Sequence, residues 1–183
     1  MTAPGFTIFA TAIGHCGLAW GERGIVAAQL PEGSEERTRA RMRRRCPDAA
    51  ETAPPPVVRN TVDDIVALLG DVADGRGRPN LSAAELDMTG IPDFHRRVYE
   101  VARTIPPGRT LTYGDVAARL GAPGTARAVG QAMARNPFAP IVPCHRVLAT
   151  DGRNGGFTAH GGVATKRRML IIEGVLADEP TLF

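Results

Sequence analysis

Long hydrophobic runs are missing from this sequence. Across its 183 residues no apolar stretch approaches the roughly 20 residues that a transmembrane helix needs. The apolar segment that starts at Phe6 follows no positively charged residue, so it does not look like a secretory signal. Hydrophobic residues make up 43% and charged residues 22% of the chain, which excludes a disordered or fibrous protein. We therefore expect a cytoplasmic protein with no membrane partner.

Cysteine is also scarce. Cys16, Cys46 and Cys144 cannot all pair, which fits a reducing compartment and leaves at least one free thiol to explain. A chain of this length buries roughly 70% of its unfolded surface, so it needs neither a disulfide nor a metal to fold. His15 and His95 join Cys16 and Cys46 as candidate ligands, but the paired spacing of a closed zinc site is absent. We therefore predict no metal site.

Lysine is almost absent, because 21 of the 22 basic residues are arginine. Residues 1–90 carry a net charge of −2 and residues 91–183 carry +5, which is compatible with a phosphate backbone as the partner of the second half. Six arginines lie between residues 37 and 45. They are compatible with a nucleic-acid-binding arm. We favour instead a solvated helix that Ser34 caps and whose charges match the helix dipole.

The first half predicts a small antiparallel sheet with helices. Residues 6–30 are apolar, partly alternating and interrupted by glycines, which indicates two or three antiparallel strands joined by tight turns. Three prolines at 54–56 break the chain, and Asn60 or Thr61 can cap the short helix that follows. Residues 86–88 are compatible with a last short strand.

The pattern then turns helical, so we predict two domains, residues 1–90 and 91–183. The first helix of the second domain starts after Pro92 and ends at a Pro-Pro-Gly segment. Two short helices follow, one capped by Thr112 and one by Thr125, with a glycine-containing turn between them. This arrangement is typical of a helix-turn-helix.

The second of these helices is unusually smooth. Its exposed candidates are Ala126, Ala128 and Gly130, and Arg127 is the one long cation among them. A helix that reads bases in the major groove normally offers several long polar side chains. A smooth helix with one arginine favours close approach to a narrow groove with little reading of sequence.

Residues 141–147 (IVPCHRV) carry the most informative chemistry. Pro140 and Pro143 disfavour a regular helix, so we expect an extended and buried segment. A buried thiol is inert, but beside an imidazole and a guanidinium Cys144 can become a thiolate nucleophile. In an extended chain Cys144 and His145 point to opposite faces, which favours proton transfer through a bridging water. A structural Cys beside a structural His is the alternative, and these residues alone leave both open.

The second half also contains a series of short motifs. In chain order they are IPPGRT with TYG (105–110 and 112–114), RAVG (127–130), NP (136–137), PCHRV (143–147), GG with Lys166 (161–162), and IIEG (171–174). Together they resemble the O6-alkylguanine-DNA alkyltransferases, also called methylated-DNA–protein-cysteine methyltransferases. The PCHRV core with its upstream Asn-Pro and downstream Glu is highly specific. The resemblance spans about half the chain, and the first half matches only in its strand-rich character.

The resemblance implies a fold and an activity. The fold is α/β with two domains: a ribonuclease-H-like domain with a small antiparallel sheet and helices, then a mostly helical, winged helix-turn-helix-like domain. The activity is DNA repair by a monomer that flips O6-alkylguanine out of double-stranded DNA from the minor groove and transfers the alkyl group irreversibly to its own cysteine. O4-alkylthymine is a further candidate substrate. No cofactor is needed because the lesion is the donor, and each molecule acts once because a thioether is a poor leaving group.

The resemblance also assigns chemical roles. Cys144 matches the alkyl acceptor, His145 relays its proton through water, and Glu173 holds His145. Asn136 braces the loop that carries the nucleophile. Tyr113 lies near the bound base, donates a hydrogen bond to the departing guanine and crowds its phosphate.

Roles in binding follow in the same way. Arg127 inserts into the base stack and fills the space of the flipped nucleotide, which offsets part of the few kcal/mol that unstacking costs. The small residues beside it lie against the minor groove. The DNA-binding set is Thr125, Ala126, Arg127, Ala128, Gly130 and Arg135, and the substrate pocket is lined by Val147, Phe157, Thr158, Ala159 and His160.

The sequence departs from the family pattern at two places, the start of the second domain and the loop after the cysteine. His95 stands where the family usually has Gln, and the 156–162 loop (GFTAHGG) has Phe157 in place of Tyr and a slightly longer path. This loop forms one wall of the base pocket in the family. The preference for methyl over bulkier alkyl groups is therefore open, and His160 is a candidate polar group near the lesion.

Three functions compete on the sequence. The leading one is a single-use DNA repair alkyltransferase. The second is a lesion-recognition or regulatory helix-turn-helix protein whose Cys144 does not transfer. The third is a thiol hydrolase that uses Cys144 and His145, which is disfavoured because such Cys and His residues normally come from separate segments.

Overall fold

The computed structural model describes residues 4–70, 77–151 and 157–177. Within them the strands are β1 (Gly5–Thr11), β2 (Gly14–Gly21), β3 (Gly24–Gln29), β4 (Ala50–Glu51), β5 (Leu111–Thr112) and β6 (Val147–Leu148). The helices are α1 (Glu35–Arg45), α2 (Pro56–Leu68), α3 (Asp93–Arg103), α4 (Tyr113–Arg119), α5 (Ala126–Ala134) and α6 (Gly162–Ile172), with 3₁₀ turns at Leu81–Ala83 and Cys144–Arg146. The α/β class is as predicted. Gly156 of the pocket loop lies outside the described residues.

The main sheet is mixed rather than wholly antiparallel. Its strand order is β3-β2-β1-β4; β1, β2 and β3 pair antiparallel as predicted, and β4 pairs parallel with β1. The prediction of an antiparallel sheet is wrong at this edge, because α1 carries the chain back along the sheet before β4 begins. The strand expected at 86–88 is also wrong. Leu86 forms only an isolated bridge to Ile25.

The two helices of the first half begin differently. The Ser34 hydroxyl accepts a hydrogen bond from the Arg37 N–H at 3.2 Å, so the predicted cap of α1 is confirmed. Helix α2 starts at Pro56, before the predicted caps Asn60 and Thr61. Proline fits the first helical position because the N–H it lacks has no partner inside the helix there. The predicted caps therefore lie five or six residues after Pro55, the observed N-cap residue.

The helices of the second half follow the sequence closely. Thr112 and Asp115 form a reciprocal capping box at the start of α4. Thr125 occupies the N-cap position of α5, but its hydroxyl donates to the Ala122 carbonyl at 2.6 Å instead of capping the helix. The segment around Cys144 is a 3₁₀ turn and not the extended strand that the prolines suggested. The prolines are nevertheless compatible with this turn, because Pro143 lies just before its first residue, where a backbone N–H is not needed.

The core joins the two halves of the chain. One cluster of buried residues runs from Trp20 in β2 and Leu30 just after β3 to Tyr99 in α3 and Phe138 after α5. The Tyr99 hydroxyl donates to the Ala132 carbonyl of α5 at 2.9 Å, which satisfies the polar end of a buried ring. A second, smaller cluster packs α1 against the outer face of the sheet. Among residues 4–70, 77–151 and 157–177, no helix combines the length and apolarity that a bilayer crossing requires.

Met42 anchors α1 to the sheet, and its loss tests this packing. Its side chain is fully buried against the small cluster. Truncation leaves a cavity, so we expect Met42→Ala to lower the free energy of unfolding by about 2–5 kcal/mol in urea denaturation. Val57→Ala, a truncation at a position that is 66% exposed, should change it by less than about 0.5 kcal/mol. Equal effects of the two variants would contradict the packing of α1.

Candidate active site

Cys144 begins the 3₁₀ turn that follows the buried segment 140–143. The residue is 8% exposed, and its N–H donates to the Val142 carbonyl at 2.9 Å. The side chain lines a cavity of about 380 Å³. The thiol is thus shielded from bulk solvent and still reachable from a space large enough for a small molecule.

Asn136 spans the loop between α5 and this turn. Its amide N–H donates to the Val142 carbonyl at 2.8 Å, and its amide oxygen accepts from the Phe138 N–H at 2.9 Å. The two bonds fix the segment before Cys144 at both ends. The same amide also helps to lower the pKa of the Cys144 thiol.

A buried carboxylate lies beneath the turn and binds two of its residues. The His145 Nε2 and Arg146 Nη2 atoms both lie 2.8 Å from Glu173 Oε1, and Arg146 Nε donates to Oε2 at 2.9 Å. Arg146 Nη1 donates to the Ile105 carbonyl at 2.7 Å, and the Gly108 N–H donates to Glu173 Oε2 at 3.4 Å. The end of α6 is therefore tied to the cysteine turn and to the loop after α3.

The charges decide which nitrogen of His145 carries the proton. Burial raises the pKa of Glu173, but the hydrogen bonds from His145 and Arg146 outweigh burial and hold that pKa at about 2. An ionised carboxylate only accepts, so Nε2 of a neutral His145 must donate to it. Burial lowers the pKa of His145 and keeps the ring neutral. Its Nδ1 is then a free base, and this buried atom has no hydrogen-bond partner in the described part of the chain.

The thiol itself is protonated at rest. Burial raises the pKa of Cys144, and the Asn136 amide, the Lys166 charge and the N–H groups of residues 144 and 145 lower it in part. Loss of the thiol proton therefore needs a base as well as these stabilising groups. Neutral His145, the next residue in the chain, is the base at hand.

Lys166 is a site residue that the sequence analysis quoted only as part of a motif. Its side chain is fully buried, and Nζ donates to the Val147 carbonyl at 2.7 Å. The ammonium lies 6.0 Å from the ring centroids of Tyr113 and Phe157. Its signal in the sequence is that it is the single lysine of an arginine-rich chain.

Both halves of the chain line the cavity beside Cys144. From the second half come Met133, Ala134, Arg135, Asn136, Pro137, Ala139, Phe157, Thr158 and Ala159, and from the first half come Ala28, Gln29, Leu30, Glu32, Arg41 and Arg45. A more open groove of about 650 Å³ adjoins it, with Ala134, Phe157 and Thr158 in common. The rest of this groove is Tyr113, Ala126, Arg127, Gly130, Gln131, Ala149 and Thr150.

Most of the predicted site residues line one of these two spaces. His145 and Glu173 line neither and form the buried pair beneath the cysteine turn. Ala128 and Thr125 lie on α5 or at its start but line neither space. Val147 is fully buried, and its carbonyl is held by Lys166. His160 lies elsewhere: its ring packs against Gly33, in a separate cleft of about 240 Å³.

Arg45 stabilises the loop before the active site, although the sequence analysis placed it only in the arginine-rich run of residues 37–45. Its guanidinium donates to the carbonyls of Ala28 and Pro137 and to the Gln29 amide oxygen, all at 2.9 Å. The Ala28 N–H donates to the same Pro137 carbonyl at 2.9 Å. The sheet of the first half thus holds the Asn136–Pro137 loop of the second half.

The candidate metal ligands do not come together. His15 pairs with Glu35 at 3.3 Å, His95 lies against the Tyr99 ring, and Cys16 is buried with its pKa raised to about 12 by that burial. In the three described ranges, no group of three or more His, Cys, Asp or Glu side chains is placed to hold a metal ion.

Sequence comparison identifies relatives along most of the chain. Residues 93–175 match the family model for the DNA binding domain of 6-O-methylguanine DNA methyltransferase. A methylated-DNA–protein-cysteine methyltransferase of Methanothermobacter thermautotrophicus is 37% identical over 159 residues, which cover 87% of this chain and 79% of that protein. One from Mycobacterium bovis is 49% identical over 89 residues, which cover 49% of this chain and 52% of that protein.

Solved structures share the whole architecture. The Mycobacterium tuberculosis OGT in complex with DNA aligns with a TM-score of 0.68 and 30% identity over 94% of this chain and 95% of that chain. The O6-methylguanine-DNA methyltransferase of the archaeon Pyrococcus kodakaraensis aligns with a TM-score of 0.67 over 93% and 99%, and its 24% identity speaks to the fold alone.

Glu173→Gln tests the buried carboxylate through pH. The folded-state pKa of Glu173 is depressed from 4.5 to about 2, so its stabilisation is present above the unfolded value and is lost as the pH falls towards 2. Removing the charge leaves Arg146 buried without a counterion. We expect a loss of about 3 kcal/mol in unfolding free energy at neutral pH, which shrinks between about pH 5 and pH 2.

Urea denaturation of both proteins across this range measures the difference. The exposed carboxylate Glu100 gives the matched control Glu100→Gln, which should stay close to the parent protein throughout. A Glu173→Gln deficit that is the same at every pH would contradict the assignment of an ionised, low-pKa Glu173.

Proposed function

Because this chain belongs to the family of methylated-DNA–protein-cysteine methyltransferases, we propose that Cys144 is the residue that takes the alkyl group from O6-alkylguanine in double-stranded DNA. The activity is DNA repair by alkyl transfer to a cysteine of the protein. One observation carries the assignment. Cys144 opens on a cavity while its neighbour His145 is hydrogen-bonded to a carboxylate that Arg146 keeps ionised.

Activation of the thiol follows from these contacts. Glu173 accepts from Nε2 of His145, so Nδ1 is the basic nitrogen, and it takes the Cys144 proton through a bridging water. The resulting thiolate is stabilised by the Asn136 amide and the Lys166 ammonium. Glu173 then balances the charge of the imidazolium.

Transfer forms one bond and breaks one. The Cys144 sulfur attacks the alkyl carbon, and the bond from that carbon to guanine O6 breaks, with its electron pair going to the base. Tyr113 donates a hydrogen bond to the departing guanine. The proton that His145 took from Cys144 passes through water to the guanine, so the imidazole and the base both end neutral. No cofactor takes part because the lesion supplies the alkyl group. Each protein molecule reacts once, because the thioether that it forms is a poor leaving group.

The open groove is proposed as the surface that receives DNA. Ala126 and Gly130 of α5 line this groove, and their small size allows the minor groove of DNA to approach closely. Thr125, Ala128 and Arg135 complete the proposed DNA-binding set. Arg127 is exposed at the edge of this groove, where it can enter the space of a flipped nucleotide.

The flipped base is proposed to pass from the groove to Cys144 beside Phe157 and Thr158, which line both spaces. Ala159 completes the lining of this pocket, whereas Val147 is buried and His160 lies in the separate cleft beside Gly33, so neither of these two predicted residues is part of the proposal. O4-alkylthymine is proposed as a second substrate, and the cavity of about 380 Å³ has to hold the base together with its alkyl group.

The finer architecture belongs to the same proposal. We assign residues 1–90 to a ribonuclease-H-like domain and residues 91–183 to a winged helix-turn-helix-like domain. Capping of α4 and the short turn before α5 support the second assignment. The protein is proposed to act as a cytoplasmic monomer.

The binding-only alternative predicts recognition of the lesion without transfer, and a hydrolase predicts repeated turnover. We expect incubation with a duplex that contains O6-methylguanine to add one methyl group to the peptide that carries Cys144, with saturation at one per protein. Intact and peptide mass spectrometry measure both. Cys144→Ala should gain none, and Cys16→Ala, at a buried thiol with raised pKa, is the matched control that should still gain one. Binding without a mass change, or turnover beyond one equivalent, would refute the transfer.

Arg127→Ala separates base flipping from chemistry. Opening the stack costs a few kcal/mol, so loss of the inserted side chain should slow repair of duplex DNA on the order of 10- to 100-fold. Reaction with free O6-methylguanine base needs no flipping and should change less than about twofold. Methyl transfer to Cys144 measures both rates, and Arg59→Ala on the exposed side of α2 is the control. Equal losses with duplex and free base would rule out this role for Arg127.

A further inference from the structure

One exposed face of α1 carries three arginines in a row. Arg37, Arg41 and Arg44 are exposed and lie four and three residues apart, so they share one side of the helix. None of the three forms a salt bridge with a carboxylate of the described residues. We call these three residues the α1 arginine row.

The other arginines of the same helix are engaged elsewhere. Arg39 bridges Glu35 and Glu51, and Arg43 also pairs with Glu51 at the β4 edge. Arg45 points inward to three acceptors. Contacts within the protein therefore account for Arg39, Arg43 and Arg45 but not for the three residues of the α1 arginine row.

The arrangement of the row is unfavourable for the isolated protein. Like charges one turn apart destabilise a helix, and Arg41 also faces the charge of Arg45. The surrounding half of the chain has a net negative charge, so the row is a local concentration and not part of a generally basic surface. Such a concentration fits a partner that carries regularly repeated negative charge.

The α1 arginine row reaches the active site at its middle residue. Arg41 lines the cavity that contains Cys144, and so does Arg135, the C-cap residue of α5. The α5 helix borders the groove proposed to receive DNA. Because Arg41 and Arg135 line the same cavity, the middle of α1 and the C-terminal end of α5 border one space.

We propose that the α1 arginine row binds backbone phosphates of the same DNA duplex whose damaged base enters the Cys144 cavity. This rests on the proposed function. Guanidinium groups form paired hydrogen bonds with phosphate, and such contacts position a protein on DNA without reading its sequence. The first half of the chain thus adds an electrostatic clamp on the strand that flanks the lesion.

The test is the salt dependence of binding to an undamaged duplex. Each phosphate contact contributes about 0.9 to the slope of log affinity against log salt, so the Arg37→Ala/Arg41→Ala/Arg44→Ala variant should lose about 2 to 3 from that slope and at least about tenfold in affinity at low salt. Fluorescence anisotropy with labelled duplex gives both quantities. Lysine at the same three positions should restore most of the slope.

The matched control removes the same charge elsewhere. Arg23→Ala/Arg43→Ala/Arg59→Ala takes three exposed arginines from the turn after β2, from the opposite face of α1 and from α2. We expect it to keep the slope of the parent protein. Equal slopes for the row variant and the parent, or equal losses in the row variant and the control, would overturn the proposal.

Two further readouts remove the remaining ambiguity. Circular dichroism establishes whether the variants are folded. If the triple alanine variant is unfolded, the single variants Arg37→Gln and Arg44→Gln replace it, and each should lose about 1 from the salt slope. Sedimentation without DNA detects self-association: a row that holds a second copy of the chain, with an unchanged salt slope, refutes the DNA assignment. Absence of methyl on Cys144 in the parent protein would refute the proposed function instead, whatever the slopes are.

Discussion

The site depends on one buried carboxylate. Glu173 is removed from water and bears a negative charge, a state that is costly unless its oxygens are filled by donors. Arg146 supplies two of these donors and the opposite charge, and His145 supplies a third. Because the carboxylate stays ionised, the histidine must turn its proton towards it, and its other nitrogen is left basic. The orientation of the ring and its tautomer follow from this single charge, and the Arg146 hydrogen bonds tie the cysteine turn to it.

The first half of the chain is part of the site and not only a support for it. Arg45 and the Ala28 N–H converge on the carbonyl of Pro137, next to the asparagine that spans the loop before Cys144. Residues of β3 and α1 also form one wall of the cavity that contains the thiol. Displacement of α1 from the sheet therefore reaches the nucleophile through hydrogen bonds and not only through a loss of packing.

The cations of the protein divide into a buried set around the site and an exposed set on the surface. Lys166 and Arg146 are buried and act on the thiol and on Glu173, where low polarity strengthens each interaction. Arg127 and the α1 arginine row are exposed, where their charge suits a polyanion and is screened by salt.

Local patterns in the sequence were sufficient for much of this protein. The Ser34 cap, the Thr112–Asp115 capping box, the three antiparallel strands and the grouping of Cys144 with His145 depend on neighbouring residues, so they are readable from the chain itself. The parallel β4 edge, the start of α2 at Pro56 and the 3₁₀ turn at Cys144 were missed, because each is chosen by packing against distant parts of the fold. Tertiary structure alone decided that the Lys166 ammonium lies 6.0 Å from two aromatic rings and that His160 packs on Gly33 in a separate cleft. It also decided which of the six arginines of α1 pair with carboxylates, which one points inward and which three form no salt bridge. Residues far apart in sequence become neighbours only after folding, and it is those neighbours that fix the environment of each charge.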